Sequence, residues 1–143
     1  MTLRRIYVPL DDAALEMLRT RREIGPAPLA AHAVTDRQSR GPGTDAEELE
    51  YAALLAAAAE AAGARTAGGR RVVAAADVES ALVEDGDDTG APPSRVEVDA
   101  PVPVSRVVSF HLDEVPGGTD DGDLLWYDVT ELDEVLRLGA GHG

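Results

Sequence analysis

The sequence predicts an α/β fold: a single compact domain over residues 1–138, with a mainly parallel central sheet of about 5–6 strands, flanking helices and antiparallel strands at its edges. Three observations predict it. Strand and helix signals alternate along the first half of the chain, as they do in right-handed strand–helix–strand units. Val72, Val73, Ala74, Ala75 and Ala76 form an unbroken apolar run, the pattern of a strand buried on both faces. A length of 143 residues, with 44% hydrophobic and 28% charged side chains, suits one globular domain.

Leu3 to Val8 reads as a strand through Ile6, Tyr7 and Val8, and Pro9 stops it. Asp11 or Asp12 caps a helix running to about Ile24, with Ala14, Leu15 and Leu18 at helical spacing and Gly25-Pro26 as its terminator. Leu29 to Val34 is a second strand, and the polar stretch Thr35 to Gly43 is a loop. Thr44-Asp45-Ala46-Glu47 has the form of a capping box. It opens a helix whose apolar stripe is Tyr51, Leu54, Leu55, Ala58 and Ala62, ending at Gly63 or at Gly68-Gly69. Arg71 to Ala76 is the third strand, and Asp77 to Leu82 a short helix. Further strands are expected at Arg95–Val98, Val107–Leu112 and Leu124–Tyr127, separated by acidic Gly-bearing loops. Thr130 opens a last helix to about Leu138, and residues 139–143 form a disordered tail.

Composition excludes several functions. With no cysteine there is no disulfide framework, no thiolate metal site and no Cys nucleophile. With no lysine there is neither Schiff-base nor P-loop lysine chemistry, and all 13 basic residues are Arg. The N-terminus lacks a signal-peptide apolar core, and no apolar run is long enough to span a bilayer, so the expected location is the cytoplasm. Net charge is −14 and unevenly placed. Residues 1–71 hold ten Arg and ten acids, whereas residues 72–143 hold three Arg and seventeen acids. Nucleic acid and an anionic membrane are poor partners for such a surface; the acidic half suits a basic protein partner or a cation, and equally a solubilising role.

In open parallel sheets ligands bind beyond the carboxyl ends of the strands. Those ends carry Asp11 and Asp12, Asp77, and His111 with Asp113. Asp11, Asp77 and Asp113 form a candidate oxygen-ligand set for Mg²⁺, although Asp is also the residue that caps helices. His111 and Asp113 share a strand face, where the carboxylate would orient the imidazole. Arg37 and Arg40, ahead of the second helix, are a candidate anion clamp, opposed by the acids already at that helix end. Asp85-Gly86-Asp87-Asp88-Thr89-Gly90 begins like a calcium loop but has Val96 where the closing Glu belongs. Trp126 and Tyr127 are the densest aromatic spot and the candidate anchor for a partner. Neither a nucleophile elbow nor a dinucleotide fingerprint is present, and no cofactor is expected.

Several segments together resemble an uncharacterised family of small acidic α/β proteins from actinobacteria, a domain of unknown function. They are Arg5–Pro9, Gly25–Leu29 running into Ala33–Thr35, Glu47–Ala53, Arg71–Val78 and Leu124–Thr130. The resemblance implies a cytoplasmic bacterial protein with a compact α/β fold and brings no activity or catalytic residue. The residues therefore lead to a non-enzymatic binding or regulatory protein acting through an acidic surface and the Trp126-Tyr127 patch. The alternative is a small enzyme or metal binder with an acidic site at the strand ends.

Overall fold

The computed structural model describes residues 2–35, 38, 45–64, 69–86, 93–114 and 124–139. Nine strands and three α-helices lie within them. In chain order they are β1 (Leu3–Pro9), α1 (Asp12–Arg21), β2 (Glu23–Ile24), β3 (Leu29–His32), α2 (Ala46–Ala64), β4 (Val72–Glu79), β5 (Val83–Asp85), β6 (Arg95–Val98), β7 (Val102–Pro103), β8 (Val107–Asp113), β9 (Leu124–Asp128) and α3 (Leu132–Gly139). Seven strands form one sheet in the order β5-β6-β3-β1-β4-β8-β9, and β2 pairs with β7 in a separate ribbon.

Every neighbouring pair in the sheet is antiparallel. The expected mainly parallel sheet is therefore wrong, and the reason is where β1 sits. β3 and β4 are both antiparallel to β1, so they run in the same direction, with α2 joining them. The strand–helix–strand rhythm is present, but β1 lies between the two strands it connects. The apolar run in β4 was also ambiguous. A central antiparallel strand covered by helices on both faces needs the same continuous pattern as a buried parallel one.

Strand alternation sorts the sheet into two faces. One carries Ile6, Val8, Val72, Ala74, Ala76, Phe110 and Leu112, and packs with Leu15 and Leu18 of α1 and Leu132 and Val135 of α3. The other carries Tyr7, Val73 and Ala75 under Ala53, Ala57, Ala58 and Ala61 of α2. The small residues on α2 let the helix lie close to the sheet, so the buried stripe is alanine. Tyr51 and Leu55, expected in that stripe, point outward at 58% and 43% exposure.

Element ends follow local chemistry. Asp11 caps α1, its carboxylate accepting from the Ala14 N–H at 2.8 Å. The helix stops at Arg21 rather than Ile24. Arg22 turns into the left-handed region at φ 57°, and its carbonyl accepts from the Val104 N–H, leading the chain into the β2–β7 ribbon. Thr44 lies outside the described residues; Asp45 caps α2 by accepting from the Glu47 N–H at 2.9 Å. β4 continues to Glu79 where a short helix was expected, and only Ser80–Leu82 form a single 3₁₀ turn. Gly139 closes α3 against the sheet. A Cβ there would meet Leu15 Cδ1 at 3.1 Å and Val72 Cγ2 at 3.2 Å, so glycine permits the close approach.

Candidate functional site

The acids expected to converge are each engaged elsewhere. Asp11 caps α1. Asp77 stands opposite Arg5 in the β1–β4 pair and accepts from its Nε at 2.6 Å and Nη2 at 3.1 Å. Asp113 is 3% exposed and holds Arg71, itself 2% exposed. It accepts from the Arg71 backbone N–H at 2.7 Å and from its Nη2 at 2.7 Å. Asp11 and Asp113 share one end of the sheet, where Leu10 donates to the Val72 carbonyl and Asp113 to that of Arg71. Asp77 lies four strand residues beyond Val73, roughly 13 Å away along β4. Among the described residues, no three His, Asp or Glu groups are placed to hold a metal ion. Arg37 and Arg40 lie outside the described residues, as do positions 87–90 of the calcium-like loop.

The polar groups gather on the α2 face. His111 does not meet Asp113; its Nε2 lies 3.2 Å from the Ser109 hydroxyl on the same strand. Burial and the nearby Arg5 guanidinium push the His111 pKa below its usual value, which favours the neutral ring; its tautomer sets which partner donates in the bond to Ser109. Ser109 is 3% exposed, which makes the pair a hydrogen bond within the sheet rather than an open nucleophile and base. His32, fully buried, makes a second chain of contacts. Its Nδ1 is 2.9 Å from Ser94 Oγ and its Nε2 3.1 Å from Glu60 Oε1, which also accepts from Arg95 Nη1 at 3.1 Å. The residue types are those of a hydrolytic triad, yet Ser94 is only 3% exposed, and the open end of the chain is the carboxylate. Burial lowers the His32 pKa, Glu60 opposing it. Tyr7 donates to Glu50 Oε2 at 2.7 Å, and burial together with that carboxylate raises its pKa.

The sheet ends on β5 at one side and on β9 at the other, and β9 is the longer of the two terminal strands. β9 is a terminal strand, and no strand among the described residues pairs with its outer side. The β8–β9 register sets Trp126 beside His111 and Asp128 beside Ser109, on the α2 face. The main contacts of α2 are with β1, β3 and β4, and Trp126 is 61% exposed. On the opposite face Leu125 is 40% exposed, while Tyr127 is partly buried against the main core. Trp126 and Tyr127 therefore have different surroundings. The second stands on the core, and the first presents its ring to solvent. Below β9, Asp128 caps the turn into α3 by accepting from the Thr130 N–H at 3.0 Å, and Glu131, Asp133 and Glu134 are exposed. A groove of about 570 Å³ lies between α1 and α3, floored by Leu15 and Leu136. Its guanidinium groups are already held on their own helices, Arg19 by Glu16 and Arg137 by Glu134.

Arg71, Ser94 and Glu60 were not singled out from the sequence. An arginine ahead of an apolar run reads as exposed, and the partners of His32 lie 28 and 62 residues away along the chain.

These features define a class: an α+β protein with a seven-stranded antiparallel sheet carrying helices on both faces, a small two-stranded ribbon, an aromatic terminal strand, and no described helix long and apolar enough to cross a membrane. The chain belongs to the family DUF6912, a family of unknown function, whose model matches residues 4–136. No curated protein and no solved structure matches it.

Proposed function

We propose that the protein is a non-enzymatic binding protein that docks a protein partner on the β8–β9 surface, with Trp126 as the anchor. One observation carries the reading: the only tryptophan of the chain is 61% exposed on a terminal strand whose outer side is unpaired among the described residues. Natural proteins guard free edges with Lys, Pro or bulges, because unpaired backbone groups recruit other chains. Leu124-Leu125-Trp126-Tyr127-Asp128 has none of these guards and ends on a single acid. Tryptophan is also the residue most enriched at binding hot spots. The buried settings of Ser109 and Ser94 favour binding over hydrolysis.

A photo-reactive amino acid at position 125, used in the native host, tests the reading. A discrete cross-linked product that disappears on Trp126→Ala is expected. The reading fails if position 125 gives the same products as a control position on α1, or if Trp126→Ala leaves the products unchanged.

A further inference from the structure

We infer that the partner is a cationic extended segment that adds to β9 as a further strand of the sheet. The inference rests on the docking reading above and specifies its occupant. Among the described residues no strand pairs with the outer side of β9, where alternate residues of Leu124–Asp128 direct their backbone groups outward; the Asp128 N–H already donates to Glu131 Oε2 at 2.9 Å, so the stretch ahead of it is what one short strand would pair with. Side chains on such a strand would alternate between the two faces of the sheet. On one they would meet Trp126, and on the other Leu125.

Charge selects the occupant. Residues 113–134 contain nine acids and no basic residue. At the end of the edge strand itself Asp128 and Glu131 are described, bonded to each other's turn and not to an arginine among the described residues; Asp133 lies in the α1–α3 groove and Glu134 is paired with Arg137. A second copy would bring an equally acidic edge against this one, and like charges brought together across an interface oppose docking. A segment rich in Arg or Lys gains from the same field, and a guanidinium over the exposed Trp126 ring adds a cation–π contact. Buried hydrogen-bonded charge elsewhere on this face, Arg71 with Asp113, is already compensated and leaves the exposed acids to set the sign.

The test uses the full chain and three labelled peptides of strand length: an alternating arginine–valine peptide, its glutamate–valine counterpart, and the arginine peptide N-methylated at every backbone nitrogen, so that neither of its edges can donate. Affinity is read by anisotropy, and the site by emission of Trp126, the only tryptophan. The arginine peptide is expected to bind and to shift Trp126 emission. N-methylation, which keeps the charge but removes strand pairing, weakens binding about tenfold or more. Trp126→Ala weakens it on the order of tenfold to a hundredfold. Equal binding by the N-methylated peptide overturns strand addition, and equal binding by the glutamate peptide overturns the charge assignment. Absence of binding by the arginine peptide overturns the whole inference. None of these outcomes removes the docking reading while the cross-links at position 125 still depend on Trp126. Loss of that dependence removes both.

Discussion

The two faces of the sheet are built on different principles. The α1–α3 face is hydrocarbon: Ile6, Val8, Phe110 and Leu112 are all fully buried and pack on leucines and valines of two helices. The α2 face is thin and polar. Under α2 it is an alanine layer, and around that layer sit His32, Tyr7, Arg5 with Asp77, Arg71 with Asp113, and His111 with Ser109. Apolar burial stabilises the first face, at about 25 cal/mol for each Å² removed from water. The second holds its charges in fixed pairs, and its helix packs mainly on β1, β3 and β4 rather than on β9. Under the docking proposal, one sheet separates the task of staying folded from that of presenting a surface.

The largest effects come from exchanging these principles. Phe110→Ala, on the hydrocarbon face, is expected to cost about 3–5 kcal/mol, read as a lower midpoint in denaturant with an unchanged slope. Asp113→Ala is expected to cost about as much, roughly 3–5 kcal/mol, for the opposite reason: it removes the carboxylate that accepts from the Arg71 backbone N–H and guanidinium in a buried ion pair. The double variant Arg71→Met with Asp113→Leu removes both charges and should recover most of that loss. If the double variant is as unstable as Asp113→Ala alone, the pair does more than neutralise itself.

How far these faces were legible in the sequence differs in the same way. The hydrocarbon face was largely readable, because Ile6, Val8, Leu15 and Leu18 fall on the periods of strand and helix. The strand positions of Val107–Leu112 and Leu124–Tyr127 were readable for the same reason. Strand direction was not, since no local pattern reports that β1 lies between β3 and β4. On the polar face the residue type misleads. His32 reads as a structural, hydrogen-bonded histidine and Arg71 as the start of a strand, but nothing local names their partners, which are distant along the chain. The stripe on α2 misled too: large apolar residues read as core, but a close-packed layer needs alanine, and Tyr51 and Leu55 turn outward. Trp126 was legible as part of an aromatic spot on a strand, and the structure places its ring at 61% exposure, whereas Asp11, Asp77 and Asp113 were legible only as strand-end acids. Capping and ion pairing account for all three.

A smaller effect is specific to the polar face. Burial depresses the pKa of both His32 and His111, so the folded state binds fewer protons there than the unfolded chain. Their contribution is therefore present above the usual histidine value of about 6.5 and is lost as pH falls below it through the depressed folded values. Denaturant midpoints measured from pH 7.5 down to pH 5 should decline. A variant carrying His32→Gln and His111→Gln should decline less over the same interval. An identical slope in the variant would assign the acid sensitivity to carboxylates instead.

The smallest effect on stability, and the one that separates the two tasks most directly, is expected from Trp126→Ala. At 61% exposure the ring has little burial to lose, and surface substitutions of this kind stay within about 0.5 kcal/mol. Its neighbour provides the internal control. Tyr127 packs on the main core from the other side of the same strand, so Tyr127→Ala should be clearly the more destabilising of the two. Thermal melts of both variants beside the cross-linking measurement decide the matter. If Trp126→Ala loses partner capture at nearly wild-type stability, the aromatic edge is retained for docking. If it destabilises the chain as much as Tyr127→Ala, the ring is structural, and the open end of the polar face belongs to the fold after all.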